Sequence, residues 1–74
     1  MRYVIKTLME IDEDYRLIMM DGSVYEVLDP STIANWLPTS ELKIESINNP
    51  LASYKITFVE IGISVLANSV KQHI

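Results

Sequence analysis

Few side chains in this 74-residue sequence are suited to catalysis. The chain has no cysteine, which excludes a disulfide scaffold, a thiol nucleophile and a zinc–thiolate site. Its one histidine, His73, stands beside the C-terminus, where chains tend to fray, whereas a general base needs a fixed position. No serine lies in a nucleophile-elbow context, and two glycines are too few for a phosphate-binding loop. We therefore expect a protein with no enzymatic activity, no catalytic residue and no cofactor.

A run of carboxylates offers an alternative chemistry. Glu10, Asp12, Glu13 and Asp14 lie close together in the sequence, and carboxylate oxygens are preferred ligands of hard cations. The run lacks the glycine and the downstream glutamate of a calcium-binding loop. We expect a solvated turn between two strands, with no residue assigned to a metal. A small ligand- or cation-binding protein that uses this acidic turn is the alternative function.

The aromatic residues are the other candidates for binding. Exposed aromatics from loops line peptide grooves, whereas buried ones pack in the core. Trp36 follows a predicted helical turn on the apolar side, so we expect it in the core. Tyr15 begins a strand beside the acidic turn and is a candidate for an exposed interaction surface.

The charge balance and the apolar runs limit the class of partner. The chain has ten acidic against six basic residues, a net charge of −4, which disfavours nucleic acid as a partner. An OB-like nucleic-acid binder is kept as the second alternative function. No apolar run reaches the 18 residues of a membrane span. The start has no apolar core of a signal peptide. The location is left open: periplasmic or secreted if a signal peptide has been removed, otherwise cytoplasmic.

The elements that must position these residues are strands. Apolar residues alternate with a period of two, or form short runs, and no segment shows a convincing helical period. We predict one domain over residues 1–74, with 68–74 as a polar tail. The first run, Tyr3–Ile11, is expected to place its odd-numbered residues on one face.

A hairpin is the strongest local prediction. Asp21-Gly22 joins two apolar runs, which is typical of a two-residue type I′ turn that would pair Ile18 with Tyr25. We assign structural roles to Asp21, Gly22, Tyr25 and Trp36.

The count of elements predicts the fold class. Five or six short strands and one helical turn within Asp29–Pro38 favour an all-β protein, a small SH3-like barrel. An OB-like barrel is the alternative, although it usually needs a longer helix between its third and fourth strands.

The segment from Arg16 to Glu45 resembles a group of small uncharacterised bacterial proteins. They share an apolar strand, Asp-Gly-Ser, one residue and an aromatic, then a loop with a tryptophan and another strand. The matching residues here are Asp21-Gly22-Ser23, Tyr25 and Trp36. The resemblance implies a small SH3-like β-barrel that is frequently exported, and it carries no catalytic residues.

These observations predict a non-enzymatic protein-interaction or structural module. The segment Ile61–Val70 is uncharged and prone to form a strand, which would make it a hazard if its edge were bare. We expect either an interior strand of a closed barrel or an edge covered by a protein partner or a second copy. The candidate interaction surface comprises Tyr15, Ile63 and Val65.

Overall fold

The computed structural model describes residues 2–70. The chain forms an all-β, closed, antiparallel barrel with almost no helix, which confirms the predicted fold class. The elements in chain order are β1 (Tyr3–Ile11), β2 (Arg16–Met19), β3 (Val24–Val27), α1 (Pro30–Ile33), β4 (Glu41–Ser46), β5 (Tyr54–Phe58) and β6 (Ile63–Val70). The helix between β3 and β4 has only four residues, and the six-stranded barrel is consistent with either a small SH3-like or an OB-like description.

The strand order around the barrel is β1-β2-β3-β6-β5-β4, and β4 pairs with β1 to close it. β1 serves two neighbours: Tyr3–Thr7 pairs with β4, and the half after Leu8 pairs with β2. A bulge between Leu8 and Glu10 separates the two halves. Bulges increase the local bend of a strand, so this one lets a single strand turn the corner of a small barrel.

The core follows from the period of two, since alternate residues of each strand point inward. Leu42 and Ile44 of β4 face Phe58 and Ile56 of β5, and all four are buried. In β1 the odd-numbered residues do not all share one face, contrary to the prediction. Leu8 is fully buried and pairs with Met19, but after the bulge the inward position belongs to the odd-numbered Ile11, which pairs with the buried Leu17.

The β2–β3 hairpin turns at Asp21-Gly22, but its register is one residue away from the prediction. Ile18 pairs with Val24, and Leu17 pairs with Tyr25. Of Asp21 and Gly22, only Gly22 has a positive φ, +89°. The loop therefore has three residues, a type I turn whose last residue, Gly22, is left-handed, and it is not a two-residue type I′ turn.

The end of the chain also differs from expectation. β6 runs to Val70, three residues into the segment that was predicted to be a polar tail. Residues 71–74, including His73, lie outside the described residues. Within the described part of the chain, no helix is long and apolar enough to cross a membrane.

Of the two alternatives predicted for the last strand, the structure shows the interior strand of a closed barrel. β6 pairs with β3 on one side and β5 on the other, so it is an interior strand of the closed barrel. Val65 faces Ile56 and is only 6% exposed, so it packs in the core and cannot belong to an interaction surface. Ile63, at the start of the same strand, is half-exposed. A shorter edge exists at Tyr3–Ile5, which has no strand partner on its β2 side within residues 2–70.

Candidate functional site

A groove, here called the acidic groove, opens where β1 ends. Its cavity of about 410 Å³ is lined by Glu10, Glu13, Tyr15, Trp36 and Pro38, among others. The β1–β2 loop supplies the carboxylates and Tyr15, and the segment after α1 supplies Trp36 and Pro38. Tyr15, a candidate for the interaction surface, and the acidic turn therefore meet Trp36, which was assigned a structural role, at one groove.

Tyr15 occupies a backbone conformation that tyrosine rarely adopts. Its φ is +59°, and its side chain is half-exposed. The cause is the loop geometry: the Asp12 N–H donates to the Arg16 carbonyl at 3.1 Å, and the Tyr15 N–H donates to the Asp12 carbonyl at 3.0 Å. The third residue of such a three-residue loop takes the left-handed conformation, where glycine or asparagine is usual.

Arg16 neutralises part of the acidic turn. Asp12 Oδ1 accepts from the backbone N–H groups of Asp14 and Arg16, each at 2.9 Å, and Asp12 Oδ2 lies 2.9 Å from Arg16 Nε. The Arg16 backbone N–H is the largest influence that holds the pKa of Asp12 below its usual value. Asp14 also contacts Arg16, at 3.3 Å. Glu10 and Glu13 form no ion pair within residues 2–70, and the single charge of Arg16 cannot balance both Asp12 and Asp14, so the groove is net negative.

This pairing bears on the cation-binding alternative. Two of its four carboxylates already bind Arg16. In the part of the chain that the structure describes, no three carboxylate or imidazole side chains come together as metal ligands.

Trp36 forms the floor of the acidic groove and is only 3% exposed. Its ring meets Phe58 edge to face, with 5.3 Å between centroids and 88° between planes. The buried indole N–H has no hydrogen-bond partner among the described residues. Buried donors usually have a hydrogen-bond partner, so the Trp36 indole N–H is an exception among the described residues.

A second cavity, here called the mouth cavity, lies at the opposite end of β1. Its volume is about 640 Å³, and its lining includes Arg2, Val4 and Lys6 from the start of the chain. The other walls include Ile44 and Tyr54. Val4 and Lys6 stand opposite Ile44 and Leu42 in the β1–β4 register, so they lie on the inward face of the barrel.

Lys6 joins β1 to the tip of the β2–β3 hairpin. Its ammonium nitrogen lies 3.0 Å from Ser23 Oγ, 3.2 Å from Tyr25 Oη and 3.0 Å from Asp21 Oδ2. The same nitrogen is 5.5 Å from the Tyr25 ring centroid, so the hydroxyl, and not the ring face, is the contact. Asp21 also accepts from the Ser23 hydroxyl at 2.6 Å and the Ser23 N–H at 2.9 Å.

These contacts shift two pKa values in opposite directions. Burial of Lys6 acts to lower its pKa, but the hydrogen bonds to Asp21 and Tyr25 outweigh it and the pKa is raised. The Ser23 hydroxyl and N–H, together with Lys6, hold the pKa of Asp21 well below its usual range. Both shifts favour the charged forms, so the Lys6–Asp21 pair is ionised at neutral pH.

Sequence reasoning missed the role of Lys6. Asp21, Gly22 and Tyr25 were assigned to the hairpin alone, whereas the structure joins Asp21 and Tyr25 to Lys6 at the mouth cavity. The sequence did contain a signal, because Lys6 is two residues from Leu8 and therefore lies on the same, inward face of β1. A charged residue on the apolar face of a strand needs a partner.

Comparison with protein-family models, with curated proteins and with solved structures finds no match. The resemblance to small bacterial barrels stays a prediction.

Proposed function

We propose that the protein is a non-enzymatic interaction module that binds an extended, basic segment of a partner protein in the acidic groove. The observation that carries this proposal is Tyr15, a large aromatic residue held at φ +59° and half-exposed at the groove. Strained backbone conformations persist only where the surrounding structure holds them, and they cluster at active sites and ligand-binding sites.

The chemistry of the groove supports a basic, extended ligand. The Tyr15 ring and Pro38 supply apolar surface, and Glu10 and Glu13 supply negative charge with no ion pair within residues 2–70. Aromatic grooves on small barrels bind prolyl segments, whose extended conformation is preformed and loses little entropy on binding. Arginine or lysine in the ligand would pair with the glutamates, and such an attraction weakens in salt.

A peptide titration followed by backbone amide NMR tests the proposal. The probe is a synthetic proline-rich peptide with arginines, and the matched control carries glutamate at the arginine positions. We expect the basic peptide to shift the amides of Glu13, Tyr15 and Ala34, and its affinity to fall as NaCl is raised. Equal binding of both peptides, or shifts confined to other parts of the barrel, would contradict the proposal.

Two substitutions separate binding from folding. Tyr15→Asn removes the ring and keeps a residue that tolerates positive φ, so we expect affinity to fall roughly tenfold while the melting midpoint holds or rises. Glu13→Gln should weaken binding and flatten its salt dependence, whereas Glu26→Gln, an exposed carboxylate on β3, is the control. Full affinity in Tyr15→Asn would refute the role of Tyr15.

A further inference from the structure

The mouth cavity has a charge that is unusual for this chain. Arg2 and Lys6 line it and no carboxylate does, although acidic residues outnumber basic ones by ten to six in the sequence. Its volume of about 640 Å³ lies within the range of small-molecule sites, which occur in the mouths of barrels. Val4, Ile44 and Tyr54 give it apolar walls.

The hydrogen bonds around Lys6 leave a donor available at this cavity. An ammonium group can only donate, so the Tyr25 hydroxyl oxygen, 3.2 Å from Lys6 Nζ, must be the acceptor of that bond. The Tyr25 proton is therefore directed elsewhere, and it makes no hydrogen bond within residues 2–70. The adjacent positive charge makes this O–H a stronger donor to an anion.

Tyr54 and Arg2 add to this set of donors. The Tyr54 ring packs edge to face on Tyr25, with 5.5 Å between centroids. Neither the Tyr54 hydroxyl nor the Arg2 guanidinium makes a hydrogen bond or an ion pair with another described residue. Three donors and apolar walls thus line one cavity.

We propose that the mouth cavity binds a small molecule with an anionic headgroup on an apolar body. The carboxylate or phosphate head accepts from Tyr25, Tyr54 and Arg2, and the body packs against Val4 and Ile44. Lys6 does not bind the ligand directly, because Ser23, Tyr25 and Asp21 already occupy its three donors. It orients and polarises the Tyr25 hydroxyl.

A titration with matched small molecules tests this site on the intact chain. The probes are phenylbutyrate, phenylpropyl phosphate and the neutral phenylbutanol, with backbone amide NMR as the readout. We expect either anion to shift Val4, Ile44 and Ser46 and to bind roughly tenfold more tightly than the alcohol, and their order distinguishes a carboxylate from a phosphate site. Equal binding of the alcohol, or no shifts at these residues, would overturn the proposal.

Matched variants locate the headgroup. Arg2→Gln changes an exposed side chain and should weaken the anions severalfold without changing the melting midpoint or the affinity for phenylbutanol. Tyr25→Phe keeps the ring and should also weaken the anions more than phenylbutanol, although the loss of the hydroxyl that accepts from Lys6 should lower the melting midpoint, so its folding is checked by circular dichroism. Lys55→Gln, which removes an exposed cation from the outward face of β5, should leave anion binding unchanged. If Lys55→Gln weakens binding as much as Arg2→Gln, the attraction is one of overall charge and the proposed site is wrong.

Discussion

The two hairpin loops on either side of β2 have the same backbone hydrogen bonds and different residues at their third position. In the first loop, Tyr15 donates its N–H to the Asp12 carbonyl at 3.0 Å, and in the second, Gly22 donates to the Met19 carbonyl at 3.0 Å. Both third residues have positive φ, +59° for Tyr15 and +89° for Gly22. Glycine fits this conformation freely and tyrosine does not. Gly22 therefore suits the stability of the second loop, whereas Tyr15 lowers the stability of the first.

The loops also differ in how they use charge. At the first loop, Arg16 pairs with Asp12 and Asp14 within the same loop, and Glu10 and Glu13 stay outside that network. At the second loop, Asp21 pairs with Lys6 on another strand. The second loop thus fastens β1 to the hairpin, whereas the first presents an aromatic ring and two carboxylates. The comparison indicates a structural role for the second loop and supports the proposal that the first loop binds a partner.

The largest expected effect concerns the floor of the acidic groove. Trp36→Ala should cost roughly 3–5 kcal/mol because it empties a buried site against Phe58. That is enough to unfold a small domain of marginal stability. Urea unfolding measures it, with Trp36→Phe as the milder control.

Fluorescence checks the same residue without mutation, because Trp36 is the only tryptophan in the chain. Its emission should be blue-shifted in the folded protein and move to longer wavelength on unfolding. A water-like maximum in the native state, with full stability in Trp36→Ala, would make Trp36 part of an open binding surface.

The next effect concerns the structural loop. Gly22→Val forces a β-branched residue to φ +89°, which should destabilise the protein by about 1–2 kcal/mol. Beyond Gly22 and its two chain neighbours, no atom lies within 4 Å of the position that a Cβ would take, so the cost is backbone strain and not a clash. Gly22→Asn is the control and should cost clearly less, because asparagine tolerates this region. Equal melting midpoints for the two variants would show that strain does not decide this loop.

The opposite sign is expected at the other loop. Tyr15→Gly relieves the strain at φ +59° and should raise stability by about 0.5 kcal/mol, since the greater freedom of unfolded glycine offsets part of the gain. A thermal melt measures this change. A large loss of stability would mean that the Tyr15 ring holds the fold together and would remove the main argument for a binding role.

The sequence predicts the local elements better than their assembly. The period of two and the Asp21-Gly22 signal predict strands and a hairpin at the observed places, because both depend on neighbouring residues. The register differs by one residue because Asp-Gly is compatible with two loop types, and only the φ of Asp21 distinguishes them. The bulge after Leu8 has no sequence signal of its own.

The candidate sites were less predictable for a similar reason. Tyr15 was expected to be exposed from its place beside the acidic turn, but its positive φ depends on the length of the loop. Closure of the barrel pairs β3 with β6 and β1 with β4, which are distant in sequence. The mouth cavity depends on that closure, which brings Arg2 and Lys6 together with Tyr25 and Tyr54, and the alternation in a single strand cannot indicate it.

The smallest expected effect is a difference in acid sensitivity between the loops. The pKa of Asp21 is lowered by the Ser23 hydroxyl, the Ser23 N–H and Lys6, so the unfolded chain binds its proton more readily than the folded one. The resulting stability is fully present above the ordinary aspartate pKa of about 4 and is lost as pH falls below it. Lys6 acts at the other extreme: its raised pKa stabilises the fold below about pH 10, and this is lost as pH rises further.

Asp21→Asn should therefore flatten the loss of stability between about pH 5 and pH 2, by less than about 0.5 kcal/mol, because the Asp21 side chain is 54% exposed and solvent screens the pair. Asp12→Asn is the matched change at the first loop, where the carboxylate accepts two backbone N–H groups as well as Arg16. Urea midpoints measured across this pH range compare the two. If Asp21→Asn keeps the acid sensitivity of the parent and Asp12→Asn loses it, the first loop is the one that fastens the barrel, and the division of roles between the loops is reversed.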